Sequence, residues 1–154
     1  NNITGFPTET RKLAFDTIEI NRDIDGNNQN IYSFVPFHGT PLRTMTEKMG
    51  LISHDTITKC LTNKPQVILP NYPPEEIEGI KRCFVLYVKF PRKRWKEIEK
   101  AEKFTEEGNK IYKNLKIEYL DKYMPKPDDN PQSDLTHDYN MSDDIKKGYV
   151  DEMN

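Results

Sequence analysis

The run IYSFVPF, residues 31–37, limits the fold more than any other stretch of the chain. It is apolar and aromatic on both faces of the strand it would make. A strand buried on both faces belongs to a parallel sheet covered by helices, not to a half-exposed hairpin. The preceding residues fit that reading. The segment NIT ends in Gly5, which lets the backbone turn sharply and come close to a ligand. Pro7 suits a helix entry, and Glu9 puts an acid beside the positive end of that helix. Leu13, Thr17 and Ile20 then share one helical face, with Ala14 and Ile18 beside them. DGNNQN supplies a turn, and the stretch from Ile3 to Val35 has the length of one βαβ unit. After it, Thr40 can cap a second helix, Pro41 can occupy its first position, and Gly50 can end it with Leu51 packing back. Residues 1–50 therefore read as strand–helix–strand–helix, and the fold class as α/β.

Residues 51–72 read as a connecting segment, with a short helix near HDTITKCL and a short extended piece at QVIL. Residues 73–124 read as a helical extension. Two prolines and two acids open its first helix, in which Ile77, Ile80, Phe84 and Val88 recur at helical intervals, although FVLYVKF alone would also suit a strand. A second helix follows Pro91 with Trp95, Ile98 and Ala101 inward, and a third carries Tyr112, Leu115, Tyr119 and Tyr123 as its stripe. From residue 125 to 154 the sequence is proline-broken, acidic and nearly free of aliphatic residues. Such a segment buries too little to offset its ordering entropy, so it reads as a disordered tail.

Composition narrows the function classes. A net charge of -2 gives no global reason to expect nucleic acid or an anionic membrane as partner. No apolar run approaches the roughly 20 residues that span a bilayer, and the opening has no basic start followed by an apolar stretch. A cytoplasmic protein with no membrane partner is the default. Cys60 and Cys83 lie far apart with no His or Cys at ligand spacing, so no metal site is expected, and buried thiols are favoured over a disulfide. The basic patch KFPRKRWK could neutralise phosphates while Trp95 stacks on a base. The acids that follow it favour a helix start whose aromatics face the core and whose cations face water.

Two steps of the sequence carry a resemblance when taken together: Gly5-Phe6-Pro7-Thr8-Glu9-Thr10, and Phe34-Val35-Pro36-Phe37-His38-Gly39-Thr40-Pro41-Leu42. In this order and at this separation they resemble the last third of the barrel of radical S-adenosylmethionine enzymes, above all the cobalamin-binding group and its methylthiotransferase relatives. Those proteins carry a GxPGET step after the fifth strand and an F-x-P-x-x-GT-x-L step after the sixth, and EKMGLI looks like their E-x-x-G-x-I run. Thr8 replaces the second glycine of the first step, and His38 stands where Gly or Pro is common in the second. The resemblance implies the last βα units of a partial (β/α) barrel, with S-adenosylmethionine at the C-terminal strand ends. Ile3 and Gly5 would meet the adenine, with Val35 and Pro36 on the same wall. Phe37 and His38 would face adenine or a small-molecule substrate, and Glu9 would support the turn.

The resemblance also implies what lies elsewhere. The CxxxCxxC segment that holds the 4Fe-4S cluster, the first strands and any cobalamin domain would precede residue 1. The first partner is then the missing N-terminal half of the same polypeptide, and these residues hold no catalytic centre. The parent would cleave S-adenosylmethionine reductively to a 5′-deoxyadenosyl radical, with cobalamin-dependent methyl transfer in many relatives. A methylthiotransferase is the rival within the class, although those enzymes usually finish in a small β-barrel. From another class, the rival is a non-enzymatic interaction module whose acidic tail recruits a basic partner.

Overall fold

The computed structural model describes residues 1–24, 29–60 and 63–124; the tail expected at 125–154 lies outside the described residues. Two short strands, β1 (Asn2–Thr4) and β2 (Ile31–Ser33), pair in parallel with Ile3 opposite Tyr32. Between them runs α1 (Arg11–Asp23), and after them come α2 (Pro41–Lys48), α3 (Pro74–Lys89), a single 3₁₀ turn at Arg92–Arg94, α4 (Trp95–Ala101) and α5 (Glu106–Lys122). The fold is mixed α/β and mostly helical. Residues 1–123 form one compact unit.

The parallel pairing read from IYSFVPF is present, but its burial is one-sided. Thr4 and Ser33 are buried, whereas Ile3, on the opposite face of the pleat, is 47% exposed. Among the described residues, helices cover the Thr4–Ser33 face of this two-stranded sheet and leave Ile3 open. The inward face of α1 also differs from the expected one. Ala14, Ile18 and Asn21 are buried, while Leu13 and Ile20 are exposed. Both stripes have helical spacing, and the one with the small Ala14 lets α3 approach closely. The helix begins at Arg11 behind the Thr10 cap, later than Pro7 suggests.

The α2 punctuation follows the sequence. The Thr40 hydroxyl accepts from Arg43 N–H, Pro41 opens the helix, and Gly50 at φ +71° ends it while Leu51 N–H reaches back to the Thr46 carbonyl. No helix forms at residues 53–60, and QVIL gives only a single bridge, between Leu69 and Tyr72. FVLYVKF is helical, as the end of α3.

α3 is the centre of the molecule. It packs against α1, β2, α4 and α5, and its Ile77, Ile80, Phe84, Tyr87 and Val88 join Ile18, Phe34, Ile98 and Leu115 in one core. The barrel part and the helical extension of the sequence reading thus share that core. Arg22 of α1 donates through Nη1 to the carbonyls of Tyr87, Val88 and Phe90 at 2.6–2.8 Å, where α3 ends without an internal partner. Tyr112, Tyr119 and Tyr123 are half-buried beside Leu115, as the stripe predicted.

The two thiols differ: Cys60 is exposed, against expectation, and Cys83 is buried within α3. Burial pushes the Cys83 thiol up to about 12. At about pH 8, a disulfide reagent is expected to titrate Cys60 rapidly and Cys83 only after unfolding. Two fast thiols in the native chain would mean that α3 is open to solvent.

Candidate functional site

The strand ends are built first by backbone geometry. Past Thr4 the chain turns through Gly5 at φ +89°, a conformation that side-chain-bearing residues rarely adopt. One oxygen of Glu9 gathers the turn: it accepts from the Gly5 amide, from the Phe6 amide at 3.3 Å and from the Thr4 hydroxyl at 3.0 Å. The Thr4 hydroxyl also lies 3.3 Å from the buried Tyr72 hydroxyl, tying the turn to residues 67–72. Desolvation raises the Tyr72 pKa, so Tyr72 stays a neutral partner. Glu9 therefore supports the turn, and Gly5's own N–H is already used. Gly5 is itself buried, and the side of its Cα where a side chain would start faces Ile77 of the core, 3.4 Å away.

After β2 the chain stays beside that turn. Phe34 N–H donates to the Thr4 carbonyl at 2.7 Å, and the Phe6 and Phe34 rings stack with centroids 5.1 Å apart. Val35 and Pro36 are buried, whereas Phe37 is 51% exposed and His38 is exposed. Of the six residues named from sequence, Gly5 lies on the turn after β1 and Val35, Pro36, Phe37 and His38 on the segment after β2, and the two meet at the Phe34–Thr4 bond and the Phe6–Phe34 stack. Ile3 lies one residue deeper, on the uncovered face of the sheet.

Arg43 was missed. It is 3% exposed and uses its whole fork: Nε to Glu47, Nη1 to the Pro36 carbonyl at 3.2 Å, and Nη2 to the His54 carbonyl at 2.8 Å. The second donor to Pro36 is the Thr58 hydroxyl at 3.1 Å, which also lies 3.3 Å from His38 Nδ1. Residues 53–58 are thereby folded back against the segment after β2. An arginine among the polar residues of α2 gives no sequence signal of this role. The Thr58 contact joins residues twenty positions apart and is equally silent.

A cleft of about 560 Å³ lies elsewhere, lined by Arg11, Glu75, Glu76, Glu99, Glu102 and Phe104 among others, and it shares no lining residue with the strand ends. Its charged walls pair with one another, Arg11 with Glu102 at 2.9 Å and with Glu76 at 3.7 Å.

Among the described residues no group of three His, Cys, Asp or Glu is placed to hold a metal. Cys60 and Cys83 do not fit a 4Fe-4S cluster: one is exposed on a loop and the other is sealed in the core. Among the described residues no helix is long and apolar enough to cross a membrane. No family model, curated protein or solved structure matches the chain.

Proposed function

We propose that this chain is the C-terminal part of a radical S-adenosylmethionine enzyme of the cobalamin-binding group, and that its strand ends wall the adenine side of the S-adenosylmethionine pocket. The observation that carries the reading is the juxtaposition of two turns at the C-terminal ends of parallel strands. Gly5 and the Val35–Pro36–Phe37 segment lie side by side, joined by the Phe34–Thr4 hydrogen bond and the Phe6–Phe34 stack. Ligands of parallel α/β folds collect at this end.

The flank of the sheet adds support. Leu13, Ile20 and Ile24 are exposed along α1, and Ile3 is exposed on β1. A further strand and its helix from the N-terminal half of the same polypeptide would cover the α1 residues, while Ile3, on the other face of the sheet, would stay open to the ligand. The helices α3, α4 and α5 favour the cobalamin-binding group over methylthiotransferases, which end in a small β-barrel. The cluster ligands belong to the remainder of the polypeptide, since the cysteines here do not fit them. The part assigned to these residues is to shape and dry the pocket around S-adenosylmethionine and a small-molecule substrate.

The test uses the longest polypeptide encoded around these residues, purified without oxygen. Expected are iron–sulfur absorbance and S-adenosylmethionine binding. Ile3→Asp should weaken that binding about tenfold, the worth of a lost apolar contact, with the cluster absorbance unchanged. Wild-type affinity in Ile3→Asp would remove Ile3 from the site. A polypeptide that takes up neither cluster nor S-adenosylmethionine would overturn the proposal and leave the interaction module in its place.

A further inference from the structure

The hydrogen bonds around Thr58 bias which nitrogen of His38 carries its proton. A threonine hydroxyl has one hydrogen to give and two lone pairs to receive with. A carbonyl oxygen only accepts, so the 3.1 Å contact from Thr58 Oγ1 to the Pro36 carbonyl uses that hydrogen. The Pro36 carbonyl has room for this bond and for the one from Arg43 Nη1, one on each lone pair. His38 Nδ1, 3.3 Å from the same hydroxyl oxygen, can then bond only as the donor. In the neutral ring Nδ1–H implies a bare Nε2.

The ring is exposed, beside the exposed Phe37 and at the strand-end turns. We infer that His38 presents an unprotonated Nε2 as the polar anchor of the strand-end face, taking a ligand group that bears an N–H or O–H donor, and that Thr58 is the positioning residue that biases the ring toward this tautomer. The inference rests on the ligand-face assignment proposed above. The backing of Thr58 is rigid: the Pro36 carbonyl is held by the buried Arg43, whose other bonds run to Glu47 and the His54 carbonyl. The chain of contacts therefore runs from the core of α2, through one backbone carbonyl and one hydroxyl, to the exposed ring.

The experiment is ring-¹⁵N spectroscopy of the full chain labelled at histidine, at about pH 9, where an ordinary imidazole is neutral. His38→Gln assigns the resonances. The wild type should show a larger Nδ1–H share at His38 than at a freely exposed histidine. Thr58→Val should shift the tautomer ratio toward Nε2–H about fivefold, the effect of one ordinary hydrogen bond. Thr58→Ser, which keeps the hydroxyl, should restore the wild-type ratio in a chain of the same fold. Adenosine, whose amino and hydroxyl groups are donors, should then move the Nε2 resonance of the anaerobically purified longer polypeptide and leave Nδ1 in place. A wild-type Nδ1–H share no larger than that of a freely exposed histidine, or a ratio that Thr58→Val leaves alone, would overturn the positioning role. An unmoved Nε2 would overturn the ligand class. Loss of the cluster reading alone, with the Nδ1–H tautomer present, would remove the enzyme assignment and leave the Thr58–His38 relation standing.

Discussion

Glu102→Ala is expected to lower the unfolding free energy by about 3 kcal/mol, the lower end of the cost of stripping one partner from a buried ion pair. The lower end applies because the Arg11 side chain is 29% exposed and part of its charge stays screened by water. Glu102 itself is 8% exposed and receives both forks of Arg11 at 2.9 Å as well as the Tyr87 hydroxyl. Burial is the largest single influence and works against the charge on Arg11, but the hydrogen bonds and charge of Glu102, with Tyr87 and Glu76, together outweigh it and hold the pKa above the ordinary value. Burial and the neighbouring carboxylate both push the Tyr87 phenol up, so it remains a donor. The fold makes room for this carboxylate by leaving out a side chain: a Cβ on Gly79 would stand 2.8 Å from the Glu102 Cβ. Urea unfolding of the two chains measures the difference. The double variant Arg11→Met with Glu102→Leu should recover most of the loss, because no buried charge is then left unpaired. A single-variant loss below about 1 kcal/mol would put the pair in the class of surface ion pairs.

Arg43→Met should cost about 3 kcal/mol, the order expected when charge-assisted hydrogen bonds to buried carbonyls are lost together. Met fills much of the same space, so the loss reports the bonds and not a cavity. The affected region is local: the Pro36 and His54 carbonyls lose their donors, and residues 53–58 come away from the strand ends. Acid should narrow the difference between the two chains. The Arg43 hydrogen bond, followed by the one from His54, holds Glu47 below the 4.5 of an ordinary glutamate. A carboxylate depressed in the fold contributes stability that is present above its unfolded pKa and fades as pH falls through the folded one. The wild type has that contribution to lose and Arg43→Met does not. A difference that instead widened below pH 4.5 would contradict the Arg43–Glu47 contact.

How far the sequence could be read depended on where each structural decision is made. The ends of α2 were legible because Thr40, Pro41 and Gly50 act on backbone groups within a few residues of themselves. The inward face of α1 was not, because two apolar stripes compete there and only packing against α3 chooses Ala14 and Ile18 over Leu13 and Ile20. The helix expected near HDTITKCL does not form over residues 54–60. Its Thr56, Ile57 and Thr58 are weak helix formers, and its His54 carbonyl is drawn instead to Arg43 and its Thr58 hydroxyl to the Pro36 carbonyl. At the candidate site, the glycine turn and its acid stood in the sequence as residue types. The roles of Arg43 and Thr58 did not, since the Pro36 and His54 carbonyls they hold are backbone groups, which no side-chain pattern reveals.

The contact of Arg22 with the end of α3 bears on the order in which the chain can fold. Most helices close their last turn with residues next to it, so the stop forms when the helix does. Here three carbonyls at the end of α3 are satisfied from α1, at separations of 65, 66 and 68 residues. Closing so long a loop must precede any gain from those bonds. The last turn of the central helix closes locally through the Phe90 N–H and the Leu86 carbonyl, but the carbonyls that follow gain their donor only when α1 docks, so the end of the element that organises the core is finished late.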